Sequence, residues 1–184
     1  MLLKKAYIVN IEKTSMICYN LIKDGDELMK TSYKFDEELC SALEHLVIDE
    51  SNIVFFLNVL KETNNIDFWI VLPLELAETH DVRLVPILID LLRDPRTLGH
   101  RGNFLTALAE YDYLPYSDIL IDFICDECWE LRTKSAEMLL QIKDLLPKEI
   151  LCELEKRTKR ALDAADEKCE FLCEIMQDFD IEID

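Results

Sequence analysis

The chain has 184 residues, half of them hydrophobic, with only three glycines and five prolines. That length can bury a core as one domain, the apolar content excludes disorder, and the scarcity of turn residues excludes a β-sandwich or barrel. A net charge of −18 repels polyphosphate, so nucleic acid and anionic membrane are excluded as partners and a basic protein is favoured.

Residues 1–33 give a mixed signal. Ala6-Tyr7-Ile8-Val9 reads either as a strand or as the start of a capping helix. The opening MLLKKAYIVNIEK has no apolar region of signal-peptide length, and no apolar run in the chain is long enough to span a bilayer. Asp36 is placed to cap a helix that leads through Cys40 and Leu43 to Val47. Residues 1–54 are therefore expected to form an N-terminal helical cap.

From Phe55 onward the chain repeats itself. The phrase ILIDLLRD at Ile87–Asp94 recurs as ILIDFICD at Ile119–Asp126, 32 residues later. A weaker copy begins at Phe55, in which Leu57–Lys61 matches Ile89–Arg93. Repeats are expected at 55–86, 87–118 and 119–146, each a pair of helices. In the third, Ser117 or Asp118 caps a helix with Ile119, Leu120, Phe123 and Ile124 on one face. After a polar turn, a second helix buries Leu131, Ala136, Leu139, Leu140 and Ile142. In the second repeat, Pro86 sits near the first helical turn, and after the turn Asp94–Gly99 the second helix buries Phe104, Leu105, Leu108 and Ala109. A pair this short cannot bury its apolar face alone, whereas stacked copies can.

Two features carry a family resemblance across roughly Phe55 to Leu146: the turn Asp94-Pro95-Arg96, and an arginine opening each later second helix, Arg101 and Arg132. The units resemble short HEAT-like repeats of about 30 residues. The resemblance implies an all-α, right-handed α-solenoid of stacked antiparallel helix pairs. It also implies a ladder in which turn aspartates, Asp94 and Asp126, meet these arginines from repeat to repeat. The first unit departs from the pattern, with Trp69 in the arginine position and Pro73 inside the second helix, and is expected to be kinked or degenerate.

Beyond the repeats, Leu146-Pro147 punctuates and Ile150–Arg160 starts another helix. Ala161–Met176 reads as a last amphipathic helix with Leu162, Ala165, Cys169, Leu172 and Ile175 as its stripe. From Asp163 to Asp184 there are nine carboxylates and one lysine. The closing Asp178–Asp184 alternates with period two and reads as an extended or frayed acidic tail. Residues 147–184 complete a single domain spanning 1–184.

No catalytic constellation emerges. Seven cysteines, an odd number set within apolar helical patterns, fit free thiols in a reducing cytoplasm. Cys125 and Cys128 form the one C-x-x-C, and a structural zinc site usually needs two such pairs, so neither metal nor cofactor is expected. His45, His80 and His100 are scattered, and His100-Arg101 is read as a repeat turn rather than an anion site. Glu75, Glu78, Glu110 and Glu137 project outward from the second helices, with Thr106 and Gln141 beside them and Lys134 the one opposing charge. Tyr111, Tyr113 and Tyr116 crowd one loop and read equally as binding anchors or as clamps. Phe68 and Trp69 read as packing, and Trp129 shares their edge.

The expected function is a non-enzymatic, cytoplasmic interaction module that binds a basic protein through Glu75, Glu78, Glu110, Glu137 and the three tyrosines. By size and charge it resembles bacterial immunity proteins, which cover and neutralise a basic toxin domain. The alternative is a HEAT-like enzyme or accessory, similar to bilin lyases or DNA-base glycosylases. The glycosylase version requires a basic groove, against which the charge argues.

Overall fold

The computed structural model describes residues 47–125, 129–163 and 169–181, with the Cys169 side chain excepted. The expectations for residues 1–33, the Asp36 cap, His45, Asp126, Cys128, Ala165 and Ile183 lie outside them. Among the described residues all regular structure is helical: eight α-helices and three single turns of 3₁₀ helix. They fall into two compact units, one ending at Ala107 and the other starting at Leu108. The boundary divides the second repeat.

The first unit contains α1 (Ile53–Glu62), α2 (Ile66–Ala77), α3 (Leu84–Arg93) and all but the last residue of α4 (Gly102–Leu108). Helix α1 turns Ile53, Phe56, Leu57 and Leu60 inward at helical spacing and packs on α2 and α3. Asn65 starts α2 by accepting the Asp67 amide at 2.8 Å. Pro73 removes one intrahelical donor, but the helix continues past it to Ala77, and Pro73 itself is buried. Phe68, Leu72 and Leu76 are fully buried, as are Leu84 and Leu88 of α3. Each leucine removed from water in this way contributes about 1.5–3 kcal/mol.

Residues about one sequence period apart meet in this unit. Arg96 Nη1 donates to Asn64 Oδ1 at 2.7 Å, and the two residues are 32 apart, one repeat period. Asn103 Nδ2 donates to the Ile70 carbonyl at 2.8 Å, 33 residues back. The connection between α3 and α4 is a 3₁₀ turn, Pro95–Thr97, then Gly99 at φ +83°, where a side chain would be strained.

The second unit contains α5 (Ser117–Ile124), α6 (Trp129–Gln141), α7 (Lys148–Asp163) and α8 (Cys169–Asp178). Helix α5 packs on α6 and α7 and buries Ile119, Leu120, Ile121, Phe123 and Ile124. Neither Ser117 nor Asp118 caps it. Both lie inside the helix, and Tyr116 precedes it without a side-chain cap. In α6, Leu131, Ala136, Met138 and Leu139 are buried, but Leu140 is 37% exposed, contrary to the inward placement expected of it. Counting by helical turn places Leu140 near the edge of the apolar stripe, and the packing leaves that edge in solvent.

Helix α7 runs to Asp163, so the break expected before Ala161 falls later. Helix α8 docks on α7 through a stripe containing Leu172, Ile175 and Met176. The stretch after α8 is a helix cap, not an extended tail, as far as Ile181. Asp180 takes a left-handed conformation (φ +56°), its amide donates to the Gln177 carbonyl, and the Ile181 amide donates to the Met176 carbonyl. That is the Schellman pattern, with aspartate tolerated in the place usual for glycine. Phe179 is buried, and Lys143 Nζ donates to the Asp178 carbonyl and lies 2.8 Å from Asp180 Oδ2.

Candidate functional site

In the first unit Glu75 of α2 and Glu78, the residue that follows the helix, border a cleft. Val47, Ile48, Asp49, Glu50, Ile53, Glu75, Glu78, Thr79, Asp81 and Arg83 line about 840 Å³ of open space. Five carboxylates there face one guanidinium. The loop after α2 builds one side. His80 adopts φ +52°, and the chain then doubles back through Asp81 into α3. Asp81 Oδ1 accepts both the amide and Nε of Arg83 at 2.9 Å. The Arg83 hydrogen bonds hold the Asp81 carboxyl at about 2, against an ordinary 3.8. Asp49 accepts the Ser51 amide and hydroxyl at 2.9 and 2.6 Å, the hydroxyl bond being the larger cause of its lowered pKa. Glu50 and Glu78 are exposed and form no ion pair among the described residues, and Glu75 is half-buried.

Glu110 and Glu137 belong to the second unit, and both are exposed there. Lys134 is half-buried, Thr106 of the first unit is exposed, and the Gln141 side chain is engaged by Tyr113. The three tyrosines separate in role. Tyr113 is 7% exposed, and its hydroxyl lies 3.1 Å from both the Met138 carbonyl and Gln141 Oε1. Burial raises its pKa. Tyr113 is therefore a clamp between the loop and α6, not a surface anchor. Tyr111 is half-buried with its hydroxyl inside, and Tyr116 is half-buried.

Of the ladder that the resemblance implied, the Asp94 end lies among the described residues, and the Asp94 carboxyl feels the Arg101 charge as well as that of Arg96. The Asp94 carboxylate holds its own turn, accepting the Arg96 amide at 2.8 Å and Arg96 Nε at 2.7 Å, and Arg96 keeps it below the ordinary aspartate value. Arg101 Nη2 donates to the Asp94 backbone carbonyl at 3.0 Å. Arg96 also reaches Asn64, a pair that sequence reasoning missed although Asn64 stands 32 residues before Arg96.

Arg132 sits over the rings of Trp129 and Phe171, at 5.8 and 5.7 Å from their centroids. Trp129 is 63% exposed, whereas Phe68 and Trp69 are buried as expected, Trp69 against Phe104 and His100. Cys125 and Cys173 are half-buried thiols, and Cys152 is exposed. No helix among the described residues is long and apolar enough to cross a membrane. No protein-family model, curated protein or solved structure matches the chain.

Proposed function

We propose that this chain is a non-enzymatic interaction module: a right-handed α-solenoid of HEAT-like helix pairs, acting in the cytoplasm, that binds and neutralises a basic protein domain. The observation that carries the reading is where the surplus acid stands. Glu50 and Glu78 in one unit, and Glu110 and Glu137 in the other, project into solvent, and the chain as a whole carries −18. Such a field raises the local concentration of a cationic partner and its association rate. A toxin that acts on nucleic acid is basic because its substrate is polyanionic, so an acidic inhibitor matches it.

The test is affinity capture with the intact chain, mass-spectrometric identification, and co-expression of the captured protein with and without this chain. The reading expects a basic partner whose toxicity or activity is relieved by co-expression. An acidic partner, or a basic one left fully active in the complex, refutes it.

A further inference from the structure

The cleft of the first unit is more specific than the general attraction of an acidic surface requires. Val47 and Ile48 supply accessible apolar lining, with Val47 47% exposed and Ile48 half-buried, while Ile53 beneath them is part of the core. The acids stand around these side chains with unequal freedom. Arg83 offsets the charge of Asp81, whereas Ser51 holds Asp49 through neutral donors that leave it anionic, so exposed carboxylates without a cationic partner among the described residues stand at Asp49, Glu50 and Glu78. The cleft offers about 840 Å³ and lies open to solvent, a shape that suits a chain segment laid across it rather than an enclosed small molecule.

We infer that this cleft takes a short basic segment of a protein partner, with one apolar side chain seated on Val47 and Ile48 between lysines or arginines that meet Glu50 and Glu78. The inference rests on the reading of the chain as a binder of a basic protein, and it adds which unit and which chemistry. Charge complementarity selects the flanking residues, and the apolar lining selects the one between them. A purely polycationic segment would leave Val47 and Ile48 facing charged groups, so lysine alone is the poorer ligand.

The probe is a dye-labelled Lys-Lys-Leu-Lys-Lys peptide, compared with the same peptide carrying Gly for Leu, titrated by fluorescence anisotropy against the full chain. Loss of the leucine is expected to weaken binding about tenfold, as burial of one such side chain implies. The double variant Glu50→Gln/Glu78→Gln is expected to weaken the leucine peptide about tenfold, and Glu110→Gln/Glu137→Gln less than about twofold. Equal binding of the two peptides overturns the inference and needs no variant to fold. So does an equal loss in the two double variants, because the probe then reads only total charge. A captured partner that Glu50→Gln/Glu78→Gln binds unchanged overturns the cleft assignment while leaving the broader reading in place.

Discussion

Tyr113→Phe separates a clamp from a binding anchor. The Met138 carbonyl lies in the last turn of α6, where helix carbonyls run out of intrahelical donors. The next amide, that of Ile142, donates to Leu139 instead, which leaves the Tyr113 hydroxyl at 3.1 Å as the donor for Met138. Met138 is 1% exposed, so water cannot replace that donor freely. Removing the hydroxyl therefore does more than delete an average hydrogen bond: it strands a buried carbonyl. An unsatisfied buried acceptor costs about 1–3 kcal/mol, and Gln141 Oε1, left without the same donor, turns to solvent at little cost. Phe keeps the ring, so its packing loss is small. We expect Tyr113→Phe to destabilise by about 1–2 kcal/mol in urea unfolding with an unchanged slope, and Tyr113→Ala by about 3–5 kcal/mol. In a double-mutant cycle, Gln141→Ala is expected to couple to Tyr113→Phe only weakly, because the carbonyl is the buried acceptor. A Tyr113→Phe variant as stable as the parent, with a faster partner off-rate, would refute the clamp and restore the anchor.

Leu108→Ala and Leu139→Ala, both at fully buried positions, are each expected to cost about 2–5 kcal/mol in urea unfolding; a loss below about 1 kcal/mol at either would contradict the packing described. Asp81 has a folded pKa of about 2 against an ordinary 3.8, so its contribution is fully present above 3.8 and is lost as pH falls towards 2. Carbon-detected NMR titration of Arg83→Ala should move the Asp81 midpoint up towards 3.8, and an unmoved midpoint would show that Arg83 is not the cause. Lys143→Met removes the donor to the Asp178 carbonyl and the partner of Asp180. Amides of residues 179–181 should then exchange faster than in the parent while those of α5 are unaffected; unchanged exchange would mean that the cap holds without Lys143.

The helices were legible because their signal is local. The recurring phrase at 87 and 119 gave the first helices of two pairs, and Leu88, Leu92, Leu120 and Ile124 are buried where period 3.6 puts them. Polar wiring was not legible, because a long side chain chooses among several partners within reach. Arg96 reaches Asn64 as well as the Asp94 carboxylate, Arg101 donates to a backbone carbonyl, and Arg132 lies over two rings, contacts that spacing alone does not single out. Tyr113 was ambiguous for a related reason. Its sequence neighbours are polar, and only the placement of α6 buries it. The closing segment misled through its alternation. Phe179 and Ile181 satisfy a strand pattern, but the left-handed Asp180 and the Lys143 contacts turn them back onto α8. In the candidate site, the sign of Glu75, Glu78, Glu110 and Glu137 was readable from the sequence. The cleft was not, because Asp49, Glu50 and Asp81 reach it from outside the second helices.

Recruitment of a basic partner by the acid surface is a matter of association rate. Surface plasmon resonance with the captured partner, at low and at physiological ionic strength, tests it most directly. The association rate should fall steeply with added salt, and a Glu110→Lys/Glu137→Lys variant should associate more slowly and with a weaker salt dependence. An association rate indifferent to both salt and charge reversal would contradict it.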